Sequence, residues 1–130
     1  KVLPETDFLT VHCPLNDQTR YMVGEKELSV MKKDSFVINC ARGGIIHEQA
    51  LEDALKEEKI AGAGVDVFET EPPAQDHPFL KNQKIFLSPH SAGVSIEAAR
   101  RMSYETADNL LKALQGTVNP ETLANPEILE

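Results

Sequence analysis

An arginine, an aspartate, two glutamates and a histidine stand at or just beyond the ends of three apolar runs. Arg42 closes Val37-Ile38-Asn39-Cys40-Ala41 and precedes Gly43-Gly44. Asp66, Glu69 and Glu71 belong to Val65-Asp66-Val67-Phe68-Glu69-Thr70-Glu71-Pro72, and His90 to Phe86-Leu87-Ser88-Pro89-His90-Ser91-Ala92-Gly93. An arginine after a strand is ordinarily a surface ion pair. The double glycine adds a second possibility, because it lets the backbone approach a neighbour closely, and a guanidinium fork suits bidentate carboxylate binding. A lone histidine is ordinarily structural, but one in a small-residue loop at a strand end is a candidate acid/base, since imidazole titrates near neutrality. Glu69 and Glu71 read most simply as solvated charges. Pro72 stiffens the turn at Glu71, and a carboxylate beside His90 would orient the ring and stabilise its cationic form. Asp66 lies between valines and must find partners, either backbone donors or a ligand amide, because burying a lone carboxylate is costly.

The elements that would carry these residues alternate. The pattern predicts strands over Asp7 to Cys13, Ser35 to Cys40, Ala63 to Phe68 and Lys84 to Ser88. Helices are predicted over Gly24 to Met31 and His47 to Glu58, the second with Ala50, Leu51, Ala54 and Leu55 on one face. A long helix runs from an N-cap at Ser95 to a C′ glycine at Gly116, with Ile96, Ala99, Met102, Leu110 and Leu114 along one stripe. The tail from Thr117 holds two Asn-Pro dipeptides and reads as extended. Strands separated by helices imply parallel pairing, with helices expected on both faces. The fold class is therefore α/β, a partial doubly wound (Rossmann-like) parallel sheet of about four strands with flanking helices. Such sheets bind ligands beyond the carboxyl ends of their strands, where the charged residues above fall.

Composition narrows the alternatives. The chain has 130 residues, 41% of them hydrophobic, with a net charge of −8 and a pI near 5.0. That acidity argues against a nucleic-acid backbone as partner, and no stretch has the length of a membrane span. The two cysteines, Cys13 and Cys40, end predicted strands, where a small apolar side chain packs well. No His or Cys pair has zinc-ligand spacing, so no metal is expected, and a reduced, cytoplasmic protein is the simplest reading. No Gly-x-Gly-x-x-Gly lies between a strand and a helix, so the pyrophosphate-binding turn of a dinucleotide fold is absent.

Four motifs in order carry a resemblance. They are Val11-His12-Cys13-Pro14-Leu15 with Thr19, Met31-Lys32-Lys33 through Asn39-Cys40-Ala41-Arg42-Gly43-Gly44, Asp66-Val67-Phe68 with Glu71-Pro72, and Pro89-His90 with Gly93. From about Asp7 to Gly116 the chain resembles the carboxyl-terminal part of the NAD-binding domain of the D-isomer-specific 2-hydroxyacid dehydrogenases. The resemblance implies a catalytic set of Arg42, which clamps the substrate carboxylate, His90, the general acid/base, and Glu71, its paired acid. Glu69 falls at a variable position. The resemblance also implies NAD as cofactor, met by Asp66 at the nicotinamide carboxamide. Cys13, Pro14 and Thr19 would lie near the adenine ribose and pyrophosphate, and Cys40, Ala41 and Gly93, with Arg42 and His90, would line the nicotinamide side. His47 stands where the family usually has aspartate. At a helix start, a structural effect alone is expected of it.

The same resemblance implies that residues 1–116 are part of a longer NAD-binding domain and that 117–130 lead towards a substrate domain. Consistent with that expectation, the chain opens on lysine rather than methionine. Three readings follow. The first is part of an NAD-dependent oxidoreductase acting on a small 2-oxo or 2-hydroxy acid, with a dimeric parent. The second is an NAD-binding regulatory protein on the same scaffold, as in the carboxyl-terminal-binding-protein corepressors. The third is a half-domain inactive in isolation, prone to self-association through an exposed sheet edge and apolar faces. The sequence leaves open which 2-oxo acid is used and whether the cofactor is NAD or NADP.

Overall fold

A computed structural model describes residues 2–129. They divide into two compact units, the first ending at Ala92 and the second beginning at Gly93.

The first unit is built on four parallel strands in the order β1-β2-β3-β4: Phe8–Val11, Phe36–Asn39, Gly62–Val65 and Ile85–Leu87. The register aligns Leu9 with Val37, Val37 with Ala63, and Ala63 with Ile85. Alternation along each strand then sends Val11, Val37, Ala63, Val65 and Ile85 to one face, where all are buried. Helices α1 (Glu25–Ser29) and α2 (Glu48–Lys56) pack there through Leu28, Leu51, Ala54 and Leu55. A 3-10 turn, Pro78–Lys81, adds Phe79 to the same core. Burying each of these large side chains contributes about 1.5–3 kcal/mol.

The helices start where their caps dictate. Glu27 reaches back to the Gly24 N–H at 3.0 Å, and His47 caps α2 by accepting the Ala50 N–H on Nδ1 at 3.2 Å. This is the structural effect expected of His47. Both helices of this unit lie on one sheet face. The other face carries Phe8, Phe36, Ile38 and Phe86, with the Phe8 and Phe36 rings stacked at 5.6 Å, Gly62 beside Phe36 and Gly64 beside Ile38.

The strands are shorter than the apolar runs suggest. His12, Cys13, Cys40 and Asp66 to Phe68 all leave the ladder. Past the end of β3, the Asp66 carbonyl accepts the His90 N–H and the Phe68 N–H is donated to Glu71, shaping loops at the carboxyl edge of the sheet. Being parallel and adjacent, the strands deliver those loops side by side.

The second unit holds α3 (Ile96–Leu114), capped by Ser95 Oγ, which accepts the Ala98 N–H at 3.1 Å. Gly116 follows the helix at φ +69°, the left-handed conformation expected of a C′ glycine. The tail is not extended throughout. Its two Asn-Pro dipeptides open 3-10 turns at Pro120–Thr122 and Pro126–Leu129, because an asparagine side chain can cap the turn that proline begins, as Asn119 does for the Glu121 N–H. No described helix is long and apolar enough to cross a membrane.

Candidate active site

The loop after β2 is shaped by Asn39, which is buried. Its side-chain oxygen accepts the Ala41 N–H at 3.1 Å, and its amide donates to the Arg42 carbonyl at 3.0 Å. Arg42 is thereby held at the lip of the sheet, exposed. Its guanidinium donates to the Ala41 carbonyl at 2.7 Å and makes no ion pair among the described residues, so the ordinary surface pairing is not realised.

The double glycine has a definite neighbour. A Cβ on Gly43 would lie 1.9 Å from the Phe68 carbonyl oxygen and 2.4 Å from the Glu69 nitrogen. Gly44 sits at φ +79°, where other residues are strained. The close approach is therefore to the loop after β3, and it fixes the Arg42 loop against the Glu71 loop.

Beside Arg42 lies an open cleft of about 690 Å³, lined by His12, Cys13, Pro14, Leu15, Cys40, Ala41 and Arg42. Five of the residues expected to meet substrate or cofactor are gathered in it: Cys13, Pro14, Cys40, Ala41 and Arg42. Thr19 is not among the lining residues. Its hydroxyl donates to the Pro14 carbonyl at 2.6 Å and accepts the Asn16 N–H at 2.8 Å, closing the loop that carries Pro14.

Glu71, His90 and Asp66 form a second cluster. His90 Nδ1 lies 2.7 Å from Glu71 Oε2. Glu71 Oε1 accepts the Phe68 N–H at 2.9 Å. The bond with His90 and then that amide hold the Glu71 carboxyl below its ordinary titration range, outweighing partial burial. An anionic Glu71 makes Nδ1 of His90 the donor, which leaves Nε2 free of hydrogen bonds among the described residues. His90 itself stands at φ 52°, an uncommon conformation for a side-chain-bearing residue.

Asp66 explains how that backbone is held. It is 2% exposed. Its Oδ1 accepts the Ser88 hydroxyl at 2.5 Å and the Ser91 N–H at 2.9 Å, its Oδ2 accepts the Ala92 N–H at 2.9 Å, and its carbonyl accepts the His90 N–H at 2.9 Å. Burial pushes its carboxyl up, but the Ser88 hydroxyl and the two amides outweigh that and hold it below the usual range. Of the two partners open to Asp66, the backbone donors are present. Gly93 opens the second unit, and a Cβ there would meet nothing within 4 Å.

Glu69 is tied as well: Tyr21 donates its hydroxyl to Glu69 Oε2 at 2.8 Å. That bond, together with the Glu69 charge, pushes the Tyr21 hydroxyl above its ordinary titration range.

The sequence model of the family described as D-isomer specific 2-hydroxyacid dehydrogenase, NAD binding domain, matches residues 1–92. The chain belongs to that family. Among curated relatives of this 2-hydroxyacid dehydrogenase domain is a glyoxylate reductase of Korarchaeum cryptofilum, 42% identical over all of this chain and 39% of its own length. A D-3-phosphoglycerate dehydrogenase of Methanocaldococcus jannaschii is 40% identical over 94% of this chain and 23% of its own length. The chain thus spans well under half of the relatives it matches. Among solved structures, the NAD-complexed D-isomer specific 2-hydroxyacid dehydrogenase of Lactobacillus delbrueckii ssp. bulgaricus superposes with a TM-score of 0.85 at 33% identity. It covers 95% of this chain and 42% of that one.

Within this 2-hydroxyacid dehydrogenase domain, sequence reasoning assigned no role to Asn39, Ser88, Tyr21 or Glu48, and each builds the site. Asn39 carried the one usable signal, a polar residue closing an apolar strand. Ser88, Tyr21 and Glu48 act on partners at least 20 positions away, which no local pattern announces.

Proposed function

We propose that this chain supplies the proton-transfer and substrate-carboxylate half of an NAD(H)-dependent oxidoreductase acting on a small 2-oxo or 2-hydroxy acid. The observation that carries the reading is the 2.7 Å Glu71–His90 pair, on the same sheet edge as Arg42, with His90 Nε2 free and Arg42 without an ion pair among the described residues. Family membership supports it, as do the names of the relatives, glyoxylate reductase and D-3-phosphoglycerate dehydrogenase.

In the reductive direction His90 donates the Nε2 proton to the carbonyl oxygen of the oxo acid while a hydride reaches C2. In the oxidative direction Nε2 takes the hydroxyl proton as the hydride leaves. Glu71 holds the ring by Nδ1 and balances the charge that forms on it. Arg42 binds the substrate carboxylate with both arms of its fork, fixing C2 within reach. The cleft fits one end of a dinucleotide. Its volume is in the range of small-molecule sites, Cys13, Pro14, Cys40 and Ala41 offer a small, largely apolar wall for a flat ring, and Arg42 adds positive charge. Nicotinamide, when bound, supplies or takes the hydride.

The test is NADH oxidation by the complete polypeptide carrying this chain, with glyoxylate, hydroxypyruvate and pyruvate as substrates. Turnover is expected with at least one of them. His90→Ala is expected to lower kcat by about 10²–10⁴-fold while NADH binding, read by fluorescence, persists. Near-wild-type turnover in that variant would end the assignment.

A further inference from the structure

Glu48 is the first residue of α2 and lies outside the Arg42–Glu71–His90 set, yet both its carboxylate oxygens are spent on the loop that carries Glu71. Oε1 accepts the Glu69 N–H at 2.8 Å. Oε2 lies 3.1 Å from His77 Nε2. His77 Nδ1 accepts the Phe79 N–H at 3.3 Å, so the hydrogen sits on Nε2 and is directed at Glu48. One carboxylate therefore ties Glu69 to His77, and Glu71 lies on the segment between them. The His77 ring is further set edge-on to Phe68 and Phe79, with centroids 5.3 and 4.9 Å away.

Two consecutive amides link this tie to the site. The Phe68 N–H is donated to Glu71, and the next N–H along, that of Glu69, is donated to Glu48. Gly43 packs closely against the same peptide. The carboxylate that orients His90 is thus fixed by a backbone segment that Glu48 anchors.

We infer that Glu48 is a positioning residue for proton transfer, acting through the Phe68–Glu69 backbone on Glu71 and through Glu71 on His90. The inference deepens the proposed function and rests on it for its catalytic meaning. Its geometric content, that Glu48 sets the environment of the Glu71 carboxyl, stands apart from any activity.

A merely structural role is the competing explanation, since an acidic residue in the first turn of a helix also favours the helix dipole. His47→Ala is the control, because it removes the cap of the same helix end and, though its ring packs 4.6 Å from that of Tyr21, leaves both Glu48 bonds, to the Glu69 N–H and to His77, in place. The readout is the titration of the Glu71 carboxyl, followed by carbon NMR in the complete protein. His90 and Asp66 are the titratable groups whose charges reach it, and both stay in place in every variant.

Glu48→Ala is expected to move the Glu71 titration up towards the ordinary value of about 4.3. Glu48→Gln, which can accept from one of the two donors but must turn its amide on the other, is expected to move it in the same direction, and serves if the alanine variant does not fold. His47→Ala is expected to lower the melting temperature and leave the Glu71 titration where it is. In turnover of glyoxylate with NADH, the Glu48 variants are expected to lose about tenfold or more in kcat with little change in KM. Their acid limb should rise in pH, because Glu71 then protonates earlier on acidification.

An unmoved Glu71 titration in both Glu48 variants would overturn the inference, as would an equal shift in His47→Ala. Wild-type protein that turns over no 2-oxo acid would overturn the proposed function, while the carboxyl titration would still decide for or against Glu48.

Discussion

Gly43 and Phe68 touch backbone to backbone, so closely that a Cβ on Gly43 would lie 1.9 Å from the Phe68 carbonyl oxygen. This contact locks the loop bearing Arg42 to the loop bearing Glu71, and with them the two candidate ends of the substrate. A methyl group cannot be absorbed there, because the obstacle is main chain rather than the tip of a flexible side chain. Gly43→Ala is expected to push the loops apart. Misplacement of about 1 Å can cost ~10²-fold in rate, so kcat/KM for the oxo acid should fall on that order in the complete protein. A variant with unaltered kinetics would show that the loops need no such lock.

Arg42 makes no ion pair among the described residues, so its charge is available to a ligand. Lysine keeps the charge and loses the planar fork. Arg42→Lys is expected to raise KM for the oxo acid roughly tenfold or more, the value of one lost charge-assisted hydrogen bond, with a smaller effect on kcat. Steady-state kinetics at saturating NADH measure both constants, and an unchanged KM would remove Arg42 from the carboxylate site.

Asp66 holds the His90 loop with both oxygens. Asp66→Asn replaces one acceptor with a donor, and an asparagine amide would then face a backbone N–H of Ser91 or Ala92. One buried donor left without a partner costs about 1–3 kcal/mol. Urea denaturation of the variant without ligand should show a loss of this size. Wild-type stability would mean that the loop finds other partners for those amides.

The depressed titrations of Glu71 and Asp66 make stability fall in acid. Both carboxyls release their protons more readily folded than unfolded. The stability they contribute is fully present above the ordinary carboxylate values of about 4, and is lost as pH falls through their lower folded values. Melting temperatures measured from pH 7 down to about 3 should therefore drop most steeply below pH 4. Glu71→Gln should flatten part of that drop. An identical profile in the variant would show that Glu71 is not linked to folding.

The alternation of apolar runs with amphipathic stretches was enough to place four strands and three helices, because the spacing of apolar residues follows the local period of each element, even in α3, whose stripe is exposed. Ser95 and Gly116 marked the ends of α3 for the same reason: a cap is satisfied within one turn of its own residue. His47, likewise, was legible as a helix start. The motif order was enough to name the family and to single out Arg42, Glu71 and His90 together.

What the sequence did not contain is where each long-range partner would be. Asp66 could have turned to a ligand or to the backbone; it meets Ser88, Ser91 and Ala92, 22 to 26 positions on. The double glycine announced a close approach but not that Phe68 would be the neighbour. The apolar runs continued past the true strand ends because hydrophobicity does not register where a backbone amide leaves the ladder for a side chain such as Asn39. Glu48 looked like any first-turn acid. Its tie to Glu69 and His77 exists only because parallel pairing brings the start of α2 beside the loop after β3. Local energetics write the elements into the chain, whereas hydrogen bonds between distant residues are decided only when the sheet sets their distance.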